Sequence, residues 1–147
     1  MELYEVIVGL IICLILIGGT SVYLGAPAAE KGAVSSSGLI SYGGIDLFSD
    51  ASLSAEISSI NWGVLAPGDS SEVSIYVLNK NEAPIFLGML PEKWDPPAAQ
   101  QFLDLSWNYS GAALGSNEFT EIILTLTVSE EISVIKAFSF DVSVGSI

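Results

Sequence analysis

Several stretches of this chain alternate apolar and polar residues with a period of two, and that pattern admits few folds. Residues 72–77 put Val73, Ile75 and Val77 on one side, and residues 121–128 do the same with Ile122, Leu124, Leu126 and Val128. Near the C-terminus Phe138, Phe140, Val142 and Val144 alternate with Ser139, Asp141 and Ser143. Successive strand side chains point to opposite faces, so each run predicts a strand with one buried and one solvated face. Leu103, Leu105 and Trp107 alternate with Asp104 and Ser106 in the same way. Residues 85–90 are apolar on both faces and predict a central strand. Short segments at 45–48 and 57–62 complete a set of six or seven strands.

Turn chemistry separates these runs: Ala66-Pro67-Gly68-Asp69, Lys80-Asn81-Glu82-Ala83-Pro84, Asp95-Pro96-Pro97 and Gly115-Ser116-Asn117. Residues 98–101 fit a single helical turn, and no long amphipathic helix follows residue 45. Regularly spaced short strands over this length predict an all-β domain at 45–147, an antiparallel immunoglobulin-like β-sandwich. Leu65 ahead of Glu72-Val73 is echoed by Leu114 ahead of Glu121-Ile122. We read the echo as two strands that enter one core after a turn. Residues 26–44 are small and polar apart from an apolar patch at 39–42, which reads as a flexible Gly/Ser/Ala linker with at most one short strand.

Ahead of the linker lies an apolar segment. Residues 6–29 contain no charge, and 6–24 are mostly Ile, Leu and Val. Nineteen residues at the helical rise make a rod of roughly 28 Å, near the thickness of a bilayer's hydrocarbon core. The expectation is a transmembrane signal-anchor helix at 1–25 that enters the membrane through residues 6–24. Its acidic start, Met1-Glu2-Leu3-Tyr4-Glu5, lacks the basic residues of a cleaved secretory signal, although Ala26-Pro27-Ala28 has the small residues of a cleavage site. Lys31 argues for a cytoplasmic C-terminal side. The acidity, the Ser/Thr-rich strands and one Asn-x-Ser sequon argue for the exterior, and we expect a single-pass cell-membrane protein with its β domain extracytoplasmic.

Trp62-Gly63-Val64-Leu65-Ala66-Pro67-Gly68, followed by an alternating strand and Asn79, resembles the G-x-L-x-P-G approach to a strand in immunoglobulin- and fibronectin-like surface domains. With Trp94-Asp95-Pro96, Leu105-Ser106-Trp107 and Phe138-Ser139-Phe140-Asp141, the chain is similar to small archaeal membrane-anchored cell-surface proteins carrying one such domain. The resemblance implies a cell-envelope protein and carries over no catalytic or binding residue.

The side-chain inventory is poor in reactive groups. There is no histidine and no arginine, and the single cysteine, Cys13, sits in the apolar run. Most nucleophile–base pairs, zinc sites and disulfides are thereby removed. Carboxylates such as Glu130-Glu131, or Asp95 with Asp104, have no feature that marks a glycosidase pair. We expect no enzyme and no cofactor. A net charge of −13 excludes nucleic acid as a partner, since phosphate binding needs basic residues.

Among Asp46, Asp50, Asp69, Asp95 and Asp104, near predicted strand ends, Asp46 and Asp50 are the candidates for calcium, although no D-x-D-x-D-G run is present. Trp62, Trp94 and Trp107, with Tyr76 and Tyr109, are candidates for a sugar-stacking face or for core packing. Asn108, in Asn108-Tyr109-Ser110, is the glycosylation candidate. The expected role is structural or protein-binding (adhesion) at the cell envelope. The alternatives are a pilin-like or donor-strand filament subunit, with Glu5 ahead of the apolar run or residues 39–42 as donor, and an extracellular cation- or carbohydrate-binding module.

Overall fold

The computed structural model describes residues 32–132 and 135–147. The predicted membrane anchor at 1–25 and the first part of the linker lie outside the described residues. Among the described residues no helix is long and apolar enough to cross a membrane.

Among the described residues, eight strands form two four-stranded sheets around one core. They are β1 (Ala33–Tyr42), β2 (Ile45–Phe48), β3 (Ser59–Leu65), β4 (Ser70–Asn79), β5 (Leu87–Asp95), β6 (Leu103–Trp107), β7 (Phe119–Val128) and β8 (Ala137–Ser146). One sheet has the order β3-β1-β8-β5, the other β2-β4-β7-β6. A 3-10 turn at Pro97–Gln101 joins β5 to β6 and buries Ala99, at the position where a helical turn was expected. The alternating residues do what their period dictates. Ile75, Val77, Ile122, Leu124, Leu126, Val128, Phe138, Phe140, Val142 and Val144 are all buried in the shared core, and Val73 packs against its margin.

Three expectations are corrected. The linker reading of 26–44 fails from Ala33 onward, because β1 is a ten-residue strand lying between β3 and β8. Its inward positions are Ala33, Ser35, Ser37 and Leu39, all buried. Small side chains are needed there because large ones come from either side. Trp62 of β3, Phe140 of β8 and Trp94 of β5 form a stack across the inner face, with ring centroids 6.3 Å and 4.3 Å apart. Ser37 is paired with Phe140 on one side and Ile60 on the other, so a larger residue would compete for the same volume. The two hydroxyls are also satisfied: Ser35 Oγ donates to the Gly63 carbonyl at 2.8 Å, and Ser37 Oγ accepts from Trp62 Nε1 at 3.0 Å.

The sheet is not purely antiparallel, because β1 runs parallel to β8 from Val34↔Ala137 to Tyr42↔Gly145. Parallel neighbours need a long connection, and here the rest of the domain supplies it. Residues 39–42, named above as a possible donor segment, pair here with β8 of their own sheet.

The third correction concerns residues 85–90. The strand is β5, and it is the edge of its sheet rather than a central strand. Leu87 points inward and is buried, whereas Phe86 and Leu90 point outward and remain exposed. The doubly apolar pattern marks an uncovered face.

Candidate functional site

That face is the outer surface of the β3-β1-β8-β5 sheet at the end where β8 finishes. The register places Ile40, Ser143 and Leu90 in one row across β1, β8 and β5, and Tyr42, Gly145 and Gly88 in the next. Ile147 follows, its N–H donating to the Phe86 carbonyl at 3.0 Å. Ile40, Tyr42, Phe86, Leu90 and Ile147 are 40%, 42%, 51%, 56% and 80% exposed and neighbour one another across three adjacent strands. Large apolar residues scattered singly on a surface mean little, but a contiguous group is the signature of a contact surface.

The glycines shape this patch. A β-carbon at Gly145 would collide with the ring of Tyr42, and one at Gly88 would meet Ile147. The Tyr42 ring thus lies flat over Gly145, and its hydroxyl end approaches Gly88. Beyond the Ile40–Leu90 row the face turns polar. Ser143 Oγ donates to Glu92 Oε1 at 2.8 Å, and Lys93 Nζ pairs with Asp141 Oδ2 at 3.2 Å. The apolar centre is thus bordered by hydrogen-bonded and ion-paired side chains. At the far end of β1, Val34 and Val64 face each other in register and are likewise exposed.

The residues singled out by sequence go elsewhere. Asp46 lines a cleft of about 380 Å³ beside Glu56 and pairs with Lys80 at 3.1 Å. Asp50 closes its own loop: its carboxylate accepts from the Ser52 and Ser54 hydroxyls and from the Ser54 and Ala55 N–H groups. The two serine hydroxyls lead in holding that carboxyl well below the usual range, and the Ala55 amide adds to them. Asp69 accepts from the Ala66 N–H at 2.9 Å and closes the turn before β4. Asp95 and Asp104 are exposed and stand on β5 and β6. Among the described residues, no group of three or more Asp, Glu, His or Cys could hold a metal ion.

The aromatic candidates do not share an exposed face. Trp62 is 3% exposed in the core, and Trp94 stacks on Phe140 with its Nε1 buried and without a partner among the described residues. Trp107 is half-buried, in phase with Leu103 as expected, and packs on Tyr109 at 5.2 Å.

Two residues carry more structure than their sequence context announced. Tyr109 ties the sheets together: its hydroxyl donates to Ala112 O at 2.6 Å and accepts from the Leu87 N–H at 3.2 Å. Asn79, at the end of β4, is fully buried. Its Nδ2 donates to the carbonyls of Ala83, Leu114 and Gly115, and its Oδ1 accepts from Asn81. The only sequence signal for this hub was an asparagine closing a strongly alternating strand before a turn.

Comparison with known proteins adds little. No protein-family model matches the chain, and no curated protein matches it. Among solved structures, it is similar to a family 123 glycoside hydrolase from Clostridium perfringens at a TM-score of 0.32 and 8% identity, over 55% of this chain and 21% of that one. The chain thus spans about a fifth of that enzyme's length.

Proposed function

We propose that this chain is a membrane-anchored cell-envelope protein whose immunoglobulin-like β-sandwich is a non-catalytic protein-interaction (adhesion) module on the extracytoplasmic side. One observation carries the reading: the outer face of the β3-β1-β8-β5 sheet leaves Ile40, Tyr42, Phe86, Leu90 and Ile147 uncovered together. Fully burying an exposed side chain of this size contributes about 1.5–3 kcal/mol, and since most of these are about half exposed, a partner covering them would gain roughly half of that from each. The anchor at residues 6–24 would hold the domain at the membrane, where tethering raises its effective concentration for neighbours in the same envelope.

A photo-crosslinking amino acid at position 90 of the full chain, expressed in its own cells, tests this. The reading expects a discrete crosslinked protein band that Ile40→Asp or Phe86→Asp abolishes while the domain's melting temperature is kept. The same band from a crosslinker at position 104, on the opposite sheet, would refute the assignment of the face.

A further inference from the structure

We infer that Asn108 is an N-glycosylation site whose glycan guards the open edge of the second sheet. This goes beyond the interaction face and rests on the extracytoplasmic placement alone. Asn108-Tyr109-Ser110 is the one Asn-x-Ser/Thr sequence in the chain. The fold presents it where the chemistry needs it. Asn108 directly follows β6, is exposed, and continues the pairing with β7 by one rung: its backbone N–H donates to Ile123 O at 3.2 Å, and its side-chain Oδ1 accepts from the Ile123 N–H at 2.8 Å. The side-chain amide is thus fixed through its oxygen, and among the described residues its Nδ2 has no hydrogen-bond partner.

The neighbours leave that nitrogen accessible. Tyr109, the middle residue, turns its ring to Trp107 and its hydroxyl to Leu87 and Ala112. Ser110 is exposed, and its hydroxyl accepts from the Ala112 N–H at 3.3 Å in a turn completed by Gly111 at φ 81°. The other asparagines are unsuited. Asn79 is buried, Asn81 donates its Nδ2 to Gly43 O, and Asn61 and Asn117 lack a Ser or Thr two residues on.

The step required is a glycosyl transfer from a lipid-linked sugar phosphate. A bond forms between Nδ2 and the anomeric carbon, and the bond from that carbon to the phosphate oxygen breaks. The phosphate leaves with the electron pair, and Nδ2 gives up one proton to a base of the transferase. The product keeps Oδ1 as an acceptor, so the bond from Ile123 N–H survives and the fold need not change.

The position also gives the glycan a task. β6 is the edge of the β2-β4-β7-β6 sheet, and its outer side presents unpaired backbone groups that invite another strand. A sugar on the residue directly after β6 is bulky and strongly hydrated. It would block strand addition there and leave the apolar face of the other sheet free for a partner.

Tandem mass spectrometry of the full-length protein purified from its own cells tests this, together with protease treatment of intact cells. The expected result is a sugar mass on Asn108 in wild type, absent from Asn108→Gln and from Ser110→Ala, with the Asn108→Gln protein aggregating more readily. Unmodified Asn108 in a domain that external protease reaches would overturn the glycan and leave the exterior placement standing. Unmodified Asn108 in a protected domain would overturn both, and a sugar retained by Ser110→Ala would overturn the motif's part in it.

Discussion

Replacing Asn79 with alanine tests how this fold is held together at the end of β4. The side chain is 0% exposed, and its Nδ2 donates to Ala83 O, Leu114 O and Gly115 O, each at 3.0 Å. Its Oδ1 accepts from Asn81 N at 2.9 Å and from Asn81 Nδ2 at 3.0 Å. The amide carries two N–H groups, so its three donated contacts share them, and at about 1 kcal/mol net per bond the equivalent of four bonds sets an upper figure of roughly 4 kcal/mol. Part of that is recovered. Leu114 O still accepts from Ile85 N and Gly115 O from Glu118 N, while Ala83 lies at the surface where water replaces the lost donor. Asn79→Ala should therefore cost roughly 3 kcal/mol, or on the order of 10 °C in melting temperature for a domain of this size. Asn117→Ala, an exposed change that loses a contact to Ser116 and places alanine at a left-handed φ of 58°, should cost only about 1 kcal/mol. Asn79→Asp sharpens the test. It turns a carboxylate toward three carbonyl oxygens in a buried site, so its folded-state pKa is raised. The folded variant then holds its proton to higher pH than the unfolded chain, and its deficit should be small below about pH 4 and grow as the pH rises. Urea titrations of residues 32–147 followed by tryptophan fluorescence measure all three variants. Asn79→Ala and Asn117→Ala midpoints within experimental error of each other would show that the asparagine hub contributes nothing and that the reasoning is wrong.

Four further outcomes are expected. Phe140→Ala should cost about 3–5 kcal/mol because it removes the ring at the centre of the Trp62–Phe140–Trp94 stack, whereas Asp141→Ala, which loses an exposed pair with Lys93, should cost under about 1 kcal/mol; equal melting temperatures would refute the assigned strand phase. Trp62→Phe should destabilise more than Trp94→Phe in thermal melts, since the first orphans the buried Ser37 hydroxyl and the second removes an indole N–H that has no partner among the described residues. The Asp50 carboxyl is depressed by hydrogen bonds, so its contribution is present above the unfolded pKa of about 3.9 and is lost as the pH falls through the lower folded value; the gap in melting temperature between wild type and Asp50→Ala should close below about pH 4. Residues 32–147 carry a net charge of −11, being 14 of the 17 acids and three of the four lysines, so sodium and calcium salts at matched ionic strength should stabilise the domain alike. A large rise specific to millimolar calcium and abolished by Asp46→Asn with Asp50→Asn would contradict the assignment of these carboxylates to Lys80 and to the Asp50 loop.

What the sequence determined is what period and turn chemistry encode locally. Strands β4, β7 and β8 follow from apolar residues at every second position, because only one phase of such a strand can bury its apolar set. The 3-10 turn after Asp95-Pro96-Pro97 and the turn closed by Asp69 follow from the restricted backbone of proline and from short side-chain hydrogen bonds. Tertiary structure decided the rest. Ala33, Ser35 and Ser37 read as linker because small polar residues have no strand signature of their own. They become inward-facing only because Trp62, Phe140 and Trp94 fill the adjoining space and Trp62 and Gly63 satisfy the hydroxyls. The parallel pairing of β1 with β8 joins residues about a hundred positions apart, a distance at which no local pattern operates. The same holds for the candidate site. Residues 85–90 read as a central strand, because a segment apolar on both faces does not say whether its outer face is covered. The position of Leu90 on the edge strand β5 and of Phe86 just before it, beside Ile40 and Tyr42 from β1 and Ile147 after β8, is what leaves that face open.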